Sequence, residues 1–319
     1  MRAAVVGAGA FGRNHVRVLS RLPEVELVAI VDSDVAKARE LAHEFGGAAY
    51  ANANEIVPSV DAAIVATPTV THEAVAAPLL ESGIDVLVEK PIAESSAAGE
   101  RLTRLAQEHG RILQVGHLER FNPAVAALER ALRIPLFFEI HRLSVFTPRS
   151  LDIDVVLDLM IHDLDIVLSF TREIPSEIRA AGISVLSKRV DIANVRLSFE
   201  SGCIANLTAS RVSTEMVRKL RLFQPGEYLT VDYRRQEAVR LALTPKSKDL
   251  PQIAFEPLAV QKAEPLELEL TAFFAAVRER SHPRVDAAQA VNALRLAEAI
   301  LVKIEEHAEL VSDTIRRRS

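Results

Sequence analysis

Arg2-Ala3-Ala4-Val5-Val6-Gly7-Ala8-Gly9-Ala10-Phe11-Gly12 passes from an apolar run straight into a GxGxxG turn. The first glycine, Gly7, permits a tight turn. Gly9 lets the backbone approach a pyrophosphate, and Gly12 lets a following helix pack closely on the strand. That helix offers unpaired N–H groups to an anion, and Ala10 and Phe11, within the turn before it, are expected at the cofactor. The glycine pattern means little without context. Here Asp32 closes the next apolar run about 20 residues on, where an acid binds the adenosine ribose hydroxyls. A carboxylate there repels a 2′-phosphate, so NAD is expected rather than NADP. Flavin or another dinucleotide is the competing reading.

Outward from that turn, strands are expected at 2–6, 25–31, 62–66, 84–88 and 112–116, with helices at 12–22, 34–45, 73–82 and 97–107. Strand and helix in strict alternation imply a parallel sheet with right-handed crossovers. Gly83 and Gly110 stand where helix C-termini are expected. The pattern changes after His117. A connecting helix over 118–133, interrupted by Pro123, leads to a strand at 136–143 and a helix at 155–170. Strands then follow one another at 178–186, 192–199, 203–210, 217–223, 229–232 and 238–243, which implies an antiparallel sheet. Helices at 266–280 and 287–306 close the chain. The fold class is α/β. A Rossmann domain is expected over 1–118 and a substrate-binding α+β domain over 119–319.

The chain has 319 residues and a formal net charge of -5, enough for two cores and of the wrong sign for a nucleic-acid protein. One cysteine, Cys203, excludes an internal disulfide framework and suits a reducing compartment. No apolar run approaches the ~20 residues of a membrane span. A cytoplasmic location without a leader or membrane attachment is expected.

Glu89-Lys90-Pro91 ends the apolar run from Ile84 to Val88. It sets a carboxylate and an amine at the C-terminal edge of a parallel sheet, where ligands bind. Burial and a neighbouring cationic nicotinamide would lower the Lys90 pKa toward the range useful for proton transfer. Glu89 is placed to accept from the nicotinamide ribose. Thr67-Pro68 and His72 follow another strand end and are expected to line the cofactor, although capping of the next helix is an ordinary role for His72. His15, inside the first helix, reads as a structural hydrogen-bonding residue. Asp158 and His162 lie four residues apart on one face of a segment that is otherwise almost wholly apolar. Asp154 and Asp165 fall near the same stripe. Catalysis, a metal and a satisfied core pair all fit that pattern; no second histidine stands at ligand spacing, and no metal is expected.

These residues resemble the Gfo/Idh/MocA oxidoreductase family over essentially the whole chain. The carriers are Gly7–Gly12, Asp32, Thr67-Pro68 with His72, Glu89-Lys90-Pro91, and Asp158 with His162. The resemblance implies NAD, a catalytic Lys90, and an active-site Asp158–His162 pair. It also implies an open mixed, mostly antiparallel C-terminal sheet whose exposed face makes homodimers or homotetramers. Met160 stands where many members have glycine. A narrower resemblance is carried by 116–123, Gly-His-Leu-Glu-Arg-Phe-Asn-Pro, and by Asp158 to Asp165. It points to the members that oxidise the C3 hydroxyl of UDP-N-acetylglucosamine, ahead of an aminotransferase, in diamino-sugar synthesis for lipid A. On that reading His117, Arg120, Asn122, Arg149, Asp158 and His162 touch substrate, and Arg142 and Arg211 are further candidates for diphosphate. Oxidation of a free polyol such as inositol, or NAD binding without catalysis, are the alternatives.

Overall fold

Parallel strands covered on both faces must be apolar along their whole length, and the N-terminal runs have that character. In this computed structural model, which describes residues 1–147, 153–244 and 252–318, they form β1 (Arg2–Val6), β2 (Glu26–Val31), β3 (Ala48–Tyr50), β4 (Ala62–Val65), β5 (Asp85–Glu89) and β6 (Leu113–Gly116). The sheet order is β3-β2-β1-β4-β5-β6, with every pair parallel. The order reverses between β1 and β4, so the ligand crevice opens at the C-terminal ends of those two strands. Four helices make the crossovers: α1 (Ala10–Leu19), α2 (Val35–Phe45), α3 (His72–Glu81) and α4 (Ser96–Glu108). Asp34 caps α2 by accepting from Ala36 N–H, and Ser95 caps α4 by accepting from Ala98 N–H. Gly83 and Gly110 take positive φ just past α3 and α4, as expected of helix ends. β3 adds a strand to the expected set; three residues are too few to show a period.

In the second half, a 3₁₀ turn at Leu118–Phe121 precedes α5 (Pro123–Ala131). Pro123 does not interrupt a helix there. It starts one, at the position where its missing N–H costs nothing. Then come β7 (Phe137–Val145), α6 (Ile161–Thr171), β8 (Glu177–Ile183), β9 (Ile192–Ser198), β10 (Ile204–Ser213), β11 (Val217–Gln224), β12 (Glu227–Asp232), β13 (Glu237–Thr244) and β14 (Gln252–Pro257). They form one open sheet, β14-β13-β12-β11-β7-β10-β9-β8. Its neighbours are antiparallel except β7 with β10, which is parallel. One face is apolar and helix-covered: Leu128 of α5 and Leu164 of α6 pack with Phe138, Ile140, Leu207 and Leu222. The other face is open and carries Phe223, stacked on Tyr228 at 4.8 Å and edge-on to Phe137 at 5.9 Å.

The helix expected from Val155 is not continuous. A π turn occupies Val156–Met160 before α6 begins.

The chain also does not divide once at 118. The compact units are Met1–Leu118 with Glu264–Leu294, and Glu119–Ala263 with Arg295–Ser319. The expectation that everything from 119 onward belongs to the second domain is therefore corrected. The reason is packing. In α7 (Pro265–Glu279), Leu270, Phe273, Phe274 and Val277 recur on one face and join the N-terminal core of Val5, Leu19 and Ile64. α8 (Ala287–Arg318) runs twelve residues beyond its expected end at 306.

Candidate cofactor and active site

The turn after β1 shows why three glycines are needed. Gly7 has φ +105°, and an added Cβ would lie 2.5 Å from the Ala66 carbonyl oxygen. At Gly12 it would lie 1.7 Å from the Gly7 carbonyl oxygen. At Gly9 it would meet nothing within 4 Å. The outer glycines thus serve backbone packing, and Gly9 leaves open space for a ligand to reach the main chain. No side chain caps α1, so its first N–H groups remain available to an anion. A cavity of about 860 Å³ lies over this turn and is lined by Gly7, Gly9, Ala10, Phe11, Asp32 and Thr67, with Pro68 beside them. Asp32 is anchored by accepting from Ala8 N–H at 2.7 Å and from Asp34 N–H at 2.9 Å. A dinucleotide fits this donor set: amides for the pyrophosphate and an anchored carboxylate for ribose hydroxyls.

His72, expected beside the cofactor, reaches that cavity's lining through Thr67. It is buried, with Nε2 2.9 Å from the Thr67 carbonyl oxygen and Nδ1 2.9 Å from the Pro91 carbonyl oxygen. Burial pushes its pKa down, against the pull of those two acceptors. It is a strut joining the loop after β4 to the Lys90-Pro91 turn.

That turn has a cis Lys90–Pro91 peptide bond. Lys90 itself is partly exposed. Beneath it, Glu89 Oε1 lies 2.7 Å from Nε2 of the buried His15, and Glu89 Oε2 accepts from Lys90 N–H at 3.3 Å. Gly116 makes room for this carboxylate, since a Cβ there would come within 2.9 Å of Oε2. The structural role read for His15 is what it performs. Burial raises the Glu89 pKa, but the His15 hydrogen bond and the charges of His15 and Lys90 outweigh that and hold it below the usual carboxylate range.

Glu269 on α7 belongs to no motif in the sequence. It is fully buried, and neither carboxyl oxygen has a partner among the described residues. Burial first, and the charge of Glu89 second, push its pKa well up. Its spacing from Leu266, Leu270 and Phe273 is the available signal, because that spacing puts a carboxyl on an apolar helix face.

In the second unit, Asp158 lies in the π turn and His162 in the first turn of α6, both partly exposed. π turns occur often at functional sites. Asp165, near the same stripe, faces another polar group. Asp165 is buried beside Arg120 at 3.5 Å. The neighbouring Asp163 takes Arg142 in a two-pronged pair, Nε–Oδ2 2.7 Å and Nη2–Oδ1 2.8 Å. Arg142 also donates to Glu119 at 2.9 Å, and its guanidinium lies 5.1 Å from the centre of the Tyr233 ring. Burial lowers the Arg142 pKa, yet Asp163 and Glu119 more than reverse this. Burial and Asp163 raise Tyr233.

Several residues expected at the substrate are engaged by the protein itself. Arg142 and Arg120 are buried and held by Asp163 and Asp165. Asn122 is buried as the cap of α5. It accepts from Ala124 N–H at 3.1 Å and donates to Tyr233 O at 3.0 Å and Glu119 Oε2 at 3.2 Å. His117 is buried as well. Arg211 is buried against the Ile153 and Val190 carbonyls and Asp191. Asp191 in turn accepts from the N–H groups of Val185, Leu186 and Ser187. Burial would raise that carboxyl, but these donors and the Ser187 hydroxyl bring it down to about 2. Arg149 lies outside the described residues. Among the described residues no group of three or more His, Cys, Asp or Glu could hold a metal.

A glycine cradle at a topological switch point, with an anchored ribose acid, defines a dinucleotide-dependent oxidoreductase. Residues 1–117 match the family described as "Oxidoreductase family, NAD-binding Rossmann fold", and residues 139–223 match the "GFO/IDH/MocA C-terminal domain". The chain belongs to the GFO/IDH/MocA oxidoreductase family, and its cofactor is NAD. It is 37% identical to UDP-N-acetylglucosamine 3-dehydrogenase of Acidithiobacillus ferrooxidans over 73% of this chain and 74% of that protein. A solved structure of that enzyme matches with a TM-score of 0.90 and 32% identity, covering 96% of this chain and 98% of that one. Inositol 2-dehydrogenase of Acidothermus cellulolyticus is 33% identical over 52% of each chain.

Proposed function

We propose that this oxidoreductase removes hydride from the C3 hydroxyl carbon of UDP-N-acetylglucosamine, giving the 3-keto sugar and NADH. The likeness to the Acidithiobacillus enzyme, which extends through both units, carries this reading. NAD, when bound, supplies the hydride acceptor. The residues of the chain then handle the proton. As the C3–H bond delivers its electron pair to the cofactor, the hydroxyl proton passes to a base and C=O forms. Lys90, on its Glu89-backed turn, and His162, beside the Asp158 π turn, are the two groups proposed for that proton. The imidazole has an unperturbed pKa suited to neutral pH. Lys90 can serve as base or as stabiliser of the developing alkoxide, and Asp158 orients His162. The open sheet face bearing Phe137, Phe223 and Tyr228 is proposed to pair with further copies of the chain. Among the described residues no helix is long and apolar enough to cross a membrane, and we place the reaction in the cytoplasm, feeding a 3-keto-sugar aminotransferase toward lipid A. Half-length similarity to inositol dehydrogenases keeps a free polyol as the second reading.

The test supplies UDP-N-acetylglucosamine deuterated at C3, NAD, glutamate and a 3-keto-sugar aminotransferase. Deuterium on the nicotinamide and a 3-amino product are expected. Lys90→Ala and His162→Ala should each lower turnover by roughly a hundredfold or more while retaining NAD binding. Turnover of inositol without turnover of the sugar nucleotide would move the assignment to the polyol.

A further inference from the structure

β7 and β11 pair in a register that sets Arg142 directly opposite Arg218. Both fall in step with residues of the helix-covered face: Phe138 and Ile140 on one strand, Leu220 and Leu222 on the other. Like charges opposite one another destabilise an antiparallel pair. Arg142 is compensated, but its partners are then used up. Asp163 Oδ2 takes Arg142 Nε, and Oδ1 takes Arg142 Nη2 and the Tyr233 hydroxyl. Glu119 gives one oxygen to Arg142 and the other to Asn122.

Arg218 has neither hydrogen bond nor ion pair from its side chain among the described residues, although it is largely withdrawn from water. Burial, followed by the charge of Arg142, pushes its pKa below the ordinary arginine value. The charges of Glu119 and Asp163 offset part of that fall, and the charge of Arg234 adds to the repulsion. Arg234 lines a cavity of about 710 Å³ together with Arg235, Lys262 and Glu237, the last two paired at 3.7 Å. Three cations against one carboxylate leave that lining net positive. Asp163, which anchors Arg142, directly follows His162 in α6. A guanidinium that feels Glu119 and Asp163 only at a distance, with no ion pair of its own among the described residues, thus stands one strand from the anchor of the segment that carries the proposed base.

We infer that Arg218 is a binding residue for phosphate, receiving non-bridging oxygens of the substrate's diphosphate. This rests on the nucleotide-sugar reading above. The chemistry suits that role, because a guanidinium offers paired donors that match a phosphate edge. Arg142 holds the hydrogen bonds of Asp163 and Glu119, so those carboxylates reach Arg218 only through space.

The test compares native protein with Arg218→Gln and Arg218→Lys, using calorimetric titration and thermal melting with UDP, with pyrophosphate alone, and with glucuronate. Native protein should bind UDP and pyrophosphate. Arg218→Gln should weaken both by roughly ten- to a hundredfold, the range for a lost charged hydrogen bond, and should raise KM for the sugar nucleotide similarly. Arg218→Lys, a single ammonium without the fork, should fall between. NAD binding should not change. Without ligand, Arg218→Gln should melt at or above the native temperature, since it removes a charge that burial and Arg142 disfavour more than Glu119 and Asp163 support it. Equal UDP affinity in native and Gln variant would overturn the Arg218 assignment and leave the nucleotide-sugar reading intact. No UDP binding by native protein would overturn that reading itself. Arg218-dependent binding of glucuronate in place of pyrophosphate would make the ligand a carboxylate and overturn the phosphate assignment. A melting temperature several degrees lower for the ligand-free Gln variant would mark Arg218 as structural and also overturn it.

Discussion

In the first unit, Glu89, Glu269 and His15 bring two carboxyls and one ring out of water. In the second, Arg142, Asp163 and Glu119 bring two carboxylates and one guanidinium together, with Tyr233 beside them. The second set is fully wired, with three hydrogen bonds leaving the guanidinium. The first is half wired: Glu89 holds His15, and Glu269 holds nothing among the described residues. Desolvation is the same kind of cost in both places, but the ways of meeting it differ. Arg142 stays charged because its partners outweigh burial. Glu269 has no partner among the described residues, and burial favours its protonated form. Wired charge therefore belongs to the scaffold, and unwired charge marks a group that can change state or take a ligand.

Breaking the wired set should cost most. Arg142→Ala leaves the buried Asp163 carboxylate without its two-pronged partner, and a loss of roughly 3–5 kcal/mol is expected in urea unfolding of the full chain. A loss below about 1 kcal/mol would show that the cluster is not what holds the second unit. His15→Ala should cost about 1.5–3 kcal/mol, the value of a hydrogen bond to a charged group, and should let burial raise the Glu89 pKa. Carboxyl titration followed by NMR reads this directly, and an unmoved Glu89 would contradict the pairing. The smallest effect is expected at Glu269. Its folded pKa is raised, so its contribution is fully present below the ordinary glutamate range and is lost as pH rises through the folded value. Glu269→Gln does not titrate. Its stability relative to native should improve by about 1 kcal/mol or more between pH 5 and pH 8, since one pKa unit is about 1.4 kcal/mol. Parallel stability curves for the two proteins would erase the contrast between the clusters.

Sequence reading reaches the two units unequally. In the first, each short apolar run is a complete message, and the glycine turn with Asp32 carries its geometry in the residue types. Hence the sheet, the cradle and the Lys90 turn are all legible. In the second, the strands are legible but the arginines are not. Arg142, Arg120 and Arg211 read as ligand contacts because a buried, paired arginine and an exposed one share the same letter. The alternation in β7, where Arg142 keeps step with Phe138 and Ile140, holds the information that it points inward. The same step in β11 marks Arg218. The π turn leaves no period of its own in an apolar segment. The docking of α7 with the N-terminal core depends on a contact about 250 residues away in the chain, from Val5 or Leu19 to Leu270 and beyond.

That long-range docking also bears on the order of events during synthesis. The first 118 residues contain the whole cofactor turn and six-stranded sheet, yet part of their apolar surface is covered only by Leu270, Phe273, Phe274 and Val277. A ribosome adding roughly 5–20 residues per second takes on the order of ten seconds to supply those side chains. During that interval the nascent nucleotide-binding unit carries an uncovered apolar strip. Stalled ribosome–nascent chain complexes should therefore resist protease over residues 1–118 far better once residue 294 has left the exit tunnel than when the chain stops at 118. Equal resistance at both lengths would mean that the late helix adds nothing to the early fold.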